Sequence, residues 1–188
     1  MKHLLFTVAF VFATIFVNAQ LTTTNPDTVC INTPGSIYQV TNTVGYTYTW
    51  AVSAPGVLVS GQGTNQINVD WSAAPAGLIV NGISVTATNG SGCVSAPVTL
   101  DVFILQIQPT INAVGPYCED APCVGLVGNP AGGAWSGTGI VGGQFCPNTA
   151  GVGTHNITYT VTQGGCTFTA TTTITVTPAP VLTPISHN

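Results

Sequence analysis

From Thr167 to Thr177 every second residue is threonine (Thr167, Thr169, Thr171, Thr173, Thr175, Thr177), while Phe168, Ala170, Thr172, Ile174 and Val176 fill the positions between. Successive side chains leave a β-strand on opposite faces, so this period of two puts a hydroxyl row on one side and a mostly apolar row on the other. A helix would scatter both sets around its axis. The same period predicts strands at 46–52 (Tyr46, Tyr48, Trp50 and Val52 on one face), 66–71 (Ile67, Val69, Trp71), 83–88 (Ile83, Val85, Ala87), 98–104 (Val98, Leu100, Val102, Ile104) and 155–162 (Ile157, Tyr159, Val161). Clusters of Gly, Pro, Asn and Ser mark turns between them, and no window carries a helical apolar stripe.

Many short strands separated by turns indicate an all-β protein of antiparallel β-sandwiches. The pattern runs to about residue 105, passes through Gln106-Ile-Gln-Pro109 and begins again. Two sandwiches in tandem are therefore expected, over residues 20–106 and 107–178. Pro178-Ala-Pro180 opens a stiff tail over 179–188.

Only 3% of the 188 residues are charged, against 45% hydrophobic. An ordinary domain has roughly 25% charged residues. The one basic residue is Lys2. Without cationic side chains a chain neither releases counterions from phosphates nor docks on anionic lipid, so nucleic-acid binding, P-loop chemistry and electrostatic membrane attachment are excluded. Natural sheets often guard their edges with Lys. Here glycans, prolines, bulges or a partner are expected to cover them instead.

Residues 1–19 combine a basic start (Lys2, His3), an apolar run from Leu4 to Val17 and the small-residue end Val17-Asn18-Ala19. That is the pattern of a secretory signal peptide cleaved after Ala19, with a run shorter than the ~20 residues of a membrane span. Loss of Lys2 takes the formal charge from −4 to −5. The exported product has no Lys or Arg, which makes it inert to trypsin-like cleavage. All six cysteines lie beyond the signal, and an even number in an exported chain implies disulfides. Early and late positions in each half suggest Cys30–Cys93 and Cys118–Cys166, which leaves Cys123 to pair with Cys146. Zinc is disfavoured because no second close Cys pair and no ligand-like His spacing accompany Cys118 and Cys123.

Catalysis needs positioned acids, bases or nucleophiles. Beyond the signal the chain offers Asp27, Asp70, Asp101, Glu119, Asp120, His155 and His187. No catalytic residue, metal ligand or cofactor site is assigned. Glu119-Asp120 reads as a turn rather than a calcium site, since calcium takes 6–8 oxygens. His155 reads as a surface residue at a strand start. Trp71, Trp135 and Tyr117 are candidates for stacking on sugar rings, while Trp50 is assigned to the core. Asp27-Thr28-Val29 marks Thr28 for O-glycosylation. The threonine row is expected to cover a solvent-facing sheet, although flat Thr-x-Thr rows can also order water.

The stretch Ser36–Val102, with Tyr48-Thr-Trp50, Val57-Leu-Val-Ser-Gly-Gln-Gly-Thr-Asn65, Ile67-Asn-Val-Asp-Trp71 and Ile83-Ser-Val-Thr-Ala-Thr-Asn89, resembles the PKD-like domain of Bacteroidota surface proteins. The second half, with Tyr117-Cys-Glu-Asp-Ala-Pro122, Pro130-Ala-Gly-Gly-Ala-Trp-Ser-Gly-Thr-Gly139 and Ala150-Gly-Val-Gly-Thr-His-Asn-Ile-Thr-Tyr159, is similar to Ig-like repeats of adhesins associated with gliding motility and type IX secretion. The resemblance implies an exported, non-enzymatic structural or adhesive module. Its place would be the cell surface, the outer membrane or the periplasm, as an accessory to adhesin or gliding machinery. Its partners would be surface proteins, such as a large repeat adhesin, or glycans. The chain ends eight residues after Pro180 without a C-terminal sorting domain, so the resemblance leaves two expectations, export by the general secretory route or a truncated relative of such adhesins. A carbohydrate-binding module is the alternative.

Overall fold

A computed structural model describes residues 26–112, 114–182, 184 and 187. The expected signal segment lies outside the described residues, as does part of the tail. The chain divides after Gln106 into two compact units, each built of β-strands. No helix among the described residues is long and apolar enough to cross a membrane.

The first unit has seven strands: β1 (Asp27–Cys30), β2 (Ser36–Gln39), β3 (Thr47–Val52), β4 (Val57–Ser60), β5 (Gln66–Asp70), β6 (Gly77–Thr88) and β7 (Val98–Leu105). They form a four-stranded sheet, β1-β7-β6-β3, and a three-stranded sheet, β2-β5-β4. The alternation read from sequence sets the inner faces. Tyr48 and Trp50 on β3, Ile67 and Val69 on β5, Ile83 and Val85 on β6, and Val102 and Ile104 on β7 are buried in one core with Trp71. Tyr46, expected on that inner face, lies before the first residue of β3 and is 39% exposed. The indole Nε1–H of Trp71 donates to the Tyr38 hydroxyl at 3.1 Å. Burial, then the nearby Asp27 carboxylate, push the Tyr38 phenol well above its ordinary range.

The second unit runs β8 (Thr110–Ile111), β9 (Tyr117–Cys118), β10 (Val124–Gly125), β11 (Gly128–Asn129), β12 (Ala134–Gly137), β13 (Ile140–Val141), β14 (Gln144–Phe145), a one-turn helix α1 (Pro147–Ala150), β15 (Gly153–Gln163) and β16 (Cys166–Thr177). Its main sheet is β12-β15-β16-β9, with smaller sheets β10-β14-β13 and β11-β8. Phe145, Ile157, Ile174 and Val176 form the core, with Tyr117, Val124, Leu126 and Trp135 packed against it. The hydroxyl of buried Tyr159 donates to the Pro130 carbonyl at 2.6 Å and accepts from the Gly133 N–H at 2.8 Å, which fixes the chain entering β12.

Cys123 and Cys146 are bridged, closing a loop of sequence separation 23 and tying the start of β10 to the residue before α1. The expected Cys30–Cys93 and Cys118–Cys166 pairings are corrected, because Cys93 and Cys118 carry free, exposed thiols. Cys30 and Cys166 are disulfide-bonded. The reason is the parallel pairing of β1 with β7 and of β9 with β16. β1 lies parallel to β7 with Cys30 opposite Leu105, the last residue of β7, whereas Cys93 precedes the start of that strand. At ~3.3 Å per residue the two cysteines stand more than ~20 Å apart, and a disulfide needs Cα atoms within ~7 Å. Likewise β9 is parallel to β16 with Cys118 opposite Thr177, while Cys166 begins that strand, roughly 35 Å away by the same rise.

Candidate functional surface

The long hairpin β15–β16 pairs without interruption from Gly153↔Val176 to Gln163↔Cys166. Residues directly opposite one another share a face, so the threonines of the two strands fall into cross-strand rows: Thr154 with Thr175, Thr158 with Thr171, Thr160 with Thr169, and Thr162 with Thr167. On the neighbouring strand Ser136 continues the row of Thr158, and Ala134 that of Thr160. All six alternate threonines of β16 are exposed. Along a strand these positions repeat every ~6.8 Å, and strands stand ~4.8 Å apart. The hydroxyls of Thr162 and Thr167 lie 3.5 Å apart. Asn156, opposite Thr173, adds a side-chain amide to the array. None of these side chains titrates, so the face offers hydroxyl donors, acceptors and methyl groups whose properties change neither with pH nor with salt.

Two sheet edges of the first unit, β3 and β4, are modified without charge. On β3 the side-chain amide of Gln62 imitates a neighbouring strand: its Oε1 accepts from the Trp50 N–H at 2.8 Å, and its Nε2 donates to the Trp50 carbonyl at 2.9 Å. Gly63 exchanges two backbone hydrogen bonds with Tyr48, at 3.0 and 3.3 Å. Gly61 and Gly63 hold φ of 96° and 89°, a region that disfavours side chains, and this turns the loop back onto the edge. On the other sheet, edge strand β4 carries an irregularity between Leu58 and Ser60. Sequence patterning gave no sign of the Gln62 cap, although a glutamine between two glycines marks a loop shaped for close backbone approach.

The sugar-stacking candidates are not brought together as an exposed platform. Trp71 is 0% exposed, so its ring faces are unavailable. Trp135 is half-buried, with its ring centroid 4.5 Å from that of Tyr159, and Tyr117 is half-buried against the core, 6.1 Å from Phe145. The cleft lined by Tyr38, Trp50, Ile83, Val85, Val98 and Leu100 encloses about 100 Å³, below the ~300–1,000 Å³ of a typical ligand pocket. His155 is not the surface residue expected. It pairs with buried Ile174, is half-buried, and its Nε2 lies 2.8 Å from the Gly151 carbonyl at the end of α1. Glu119 and Asp120 are exposed, and among the described residues no three His, Cys, Asp or Glu side chains gather as a metal site would require. Asp70 is held below its ordinary carboxyl range by the Ser72 hydroxyl and backbone N–H, the latter at 2.7 Å. Asp101 accepts from the Asn81 N–H at 2.7 Å where β6 departs from regular pairing. Both carboxylates thus hold local backbone. Thr28 is exposed on β1, with Val29 beside it buried.

Residues 17–102 match the family model of the PKD-like domain. No curated protein matches the chain. Among solved structures the chain is similar to the fibronectin(III)-like modules of Clostridium thermocellum CbhA, at 14% identity over 87% of this chain and 95% of that one, with a TM-score of 0.36. It is also similar to human protocadherin-24 EC1-2, at 9% identity over 83% of this chain and 96% of that one, with a TM-score of 0.34.

Proposed function

We propose that this chain is an exported, non-enzymatic structural and adhesive component at a bacterial cell surface, accessory to adhesin or gliding machinery, that presents the neutral threonine face to a surface protein. The observation that carries this reading is the in-register hydroxyl array of β15–β16, its β16 threonines exposed, on a hairpin whose other face is anchored in the core by Ile157, Tyr159, Ile174 and Val176. A partner recognised there binds through shape, methyl burial and hydroxyl hydrogen bonds. The missing charges give the array the same character at any pH or ionic strength. The PKD-like match over residues 17–102 supports a module of this kind. Exposure of Thr28 supports a glycan at Asp27-Thr28-Val29 on edge strand β1. Secretion past residue 19 and a Bacteroidota host belong to the same proposal.

The test is proteinase K treatment of intact cells of the source organism, followed by affinity recovery of the chain with its partners. The expected result is digestion on intact cells and co-recovery of a surface protein. That recovery should be lost in the double variant Thr169→Lys/Thr171→Lys, which places two cations on an exposed face without touching the core. Protection from the protease, or undiminished recovery by the variant, would overturn the reading.

A further inference from the structure

In the main sheet of the second unit, β16 pairs with β15 from Cys166 to Val176, yet on its other side it meets only β9, at Val176 and Thr177. The hairpin turns on Gly164-Gly165, whose φ values of 56° and 78° belong to the two-residue loop closed by a hydrogen-bonded pair. That pair is Gln163 and Cys166. Bonded and non-bonded pairs alternate along an antiparallel ladder, so Phe168, Ala170, Thr172 and Ile174 direct their N–H and C=O groups at β15. Those of Thr167, Thr169, Thr171 and Thr173 point to the open side. The same parity carries the Thr177 carbonyl to that side, where it accepts from the Glu119 N–H at 2.9 Å. Among the described residues no hydrogen bond reaches the outward backbone groups of Thr167, Thr169, Thr171 and Thr173. Natural edges are blunted by charge, proline or a bulge. This one has none of the three: β16 contains no Lys, Arg, Asp, Glu or Pro, and its pairing with β15 runs in unbroken register.

We infer that a second copy of this chain pairs antiparallel along this edge, β16 against β16, about a two-fold axis through Ala170. A two-fold contact needs a surface that complements itself, and the open threonines do so in one register. With the axis at Ala170, Thr167 lies opposite the partner's Thr173 and Thr169 opposite the partner's Thr171, and the reverse. Each such pair exchanges two hydrogen bonds, so every outward N–H and C=O of these threonines is satisfied on both copies. Moving the axis along β16 leaves one of them facing the partner's turn or the strand β9. The non-bonded pairs, where the strands stand closer, set Ala170 against the partner's Ala170 and half-buried Phe168 against the partner's Thr172. The smallest side chain therefore sits on the axis, and an aromatic ring meets a β-branched residue, a favourable cross-strand pair. Across a two-fold axis a charged edge meets its own sign; this edge has no charge, so nothing repels the second copy at any ionic strength. β9 keeps its place at Val176 and Thr177, beyond the last open threonine. The contact uses the side of β16 and not its threonine face, so it stands or falls independently of the surface role proposed above.

The test uses the chain from residue 20 onward, carrying Cys93→Ser/Cys118→Ser so that its open thiols do not cross-link. Sedimentation velocity over a range of concentrations should show monomer and dimer in equilibrium and no larger species. Thr169→Pro removes an outward N–H without touching the ladder to β15, a substitution that edge strands tolerate. Two hydrogen bonds are then lost per dimer, and the dissociation constant should rise at least about tenfold. Ala170→Cys places two thiols across the axis with Cα atoms ~4.5 Å apart, within disulfide reach, and air oxidation should give a covalent dimer that reduction splits. Thr172→Cys, at a position more than ~13 Å from the partner's Thr172 in this register, should give none. A chain that is monomeric at every concentration would overturn the inference and leave the edge to a strand of another protein. Unchanged association of Thr169→Pro, or cross-linking of Thr172→Cys as readily as of Ala170→Cys, would overturn it equally. The cross-link decides the matter even where the proline variant does not fold.

Discussion

Replacing Gln62 by alanine removes both hydrogen bonds that its amide makes to Trp50, at 2.8 and 2.9 Å, and reopens the edge of β3 at Trp50. Each such bond is worth about 1 kcal/mol net. Water reaches one side of this exposed loop and recovers part of that, so a loss of about 1.5 kcal/mol is expected, roughly tenfold in local opening. Native-state hydrogen exchange on peptides spanning residues 47–52 should show that tenfold fall in protection, while peptides from residues 153–177 stay unchanged. Gln62→Glu sharpens the test. Its carboxylate still accepts from the Trp50 N–H but sets a lone pair against the Trp50 carbonyl, whereas the protonated acid restores the donor. The form that satisfies both groups is the protonated one, so the folded-state pKa of this acid lies above the unfolded value of about 4.3. Its contribution is full below that value and is lost as pH rises through the folded pKa. The gap between Gln62→Glu and the parent should therefore narrow by about 1 kcal/mol from pH 7 to pH 3.5. Unchanged Trp50 protection in the alanine variant, or a gap that is flat in pH, would refute the strand-mimic account.

An added Cβ at Gly56 would collide with the fully buried ring of Trp71, so Gly56→Ala should cost about 1–3 kcal/mol in denaturant titration, whereas Gly90→Ala, with nothing within 4 Å, should change stability by less than about 0.5 kcal/mol. Tyr38 has a raised folded-state pKa, so its contribution is full below the unfolded value near 10 and is lost as pH rises above it. The first unit should accordingly weaken above pH 10 in exchange measurements, and Tyr38→Phe should flatten that slope from a lower starting stability, because the Trp71 Nε1–H loses its 3.1 Å partner. Cys123→Ser/Cys146→Ser opens a loop of sequence separation 23 and should lower the stability of the second unit by about 3 kcal/mol by loop entropy, read from its melting transition.

The strands were legible because their signal is local. Ile67, Val69 and Trp71, or Ile157, Tyr159 and Val161, declare their inner face by alternation alone, and all of them are buried. The six threonines of β16 likewise declared an outer face. What stayed hidden depends on neighbours distant in sequence. That β1 runs parallel to β7, and β9 parallel to β16, follows from the whole sheet order, and those two directions decide which cysteines meet. Trp71 looked available for stacking because its period marks a face without saying that Tyr38, 33 residues earlier, closes over its indole nitrogen.

A chain almost without lysine was expected to cover its sheet edges with glycans, prolines, bulges or a partner, and one edge follows a route outside that set. On β3 the cover is a side-chain amide and a glycine backbone supplied by the chain itself, which satisfy N–H and carbonyl together as a lysine cannot. Charge repels a foreign strand at a distance and weakens with salt, whereas a filled hydrogen-bonding site leaves that strand nothing to pair with at any ionic strength. A filled edge is one answer to a composition almost without charge. The hydroxyl array of β15–β16 answers it on a face instead, where no side chain is charged and a contact desolvates no charge.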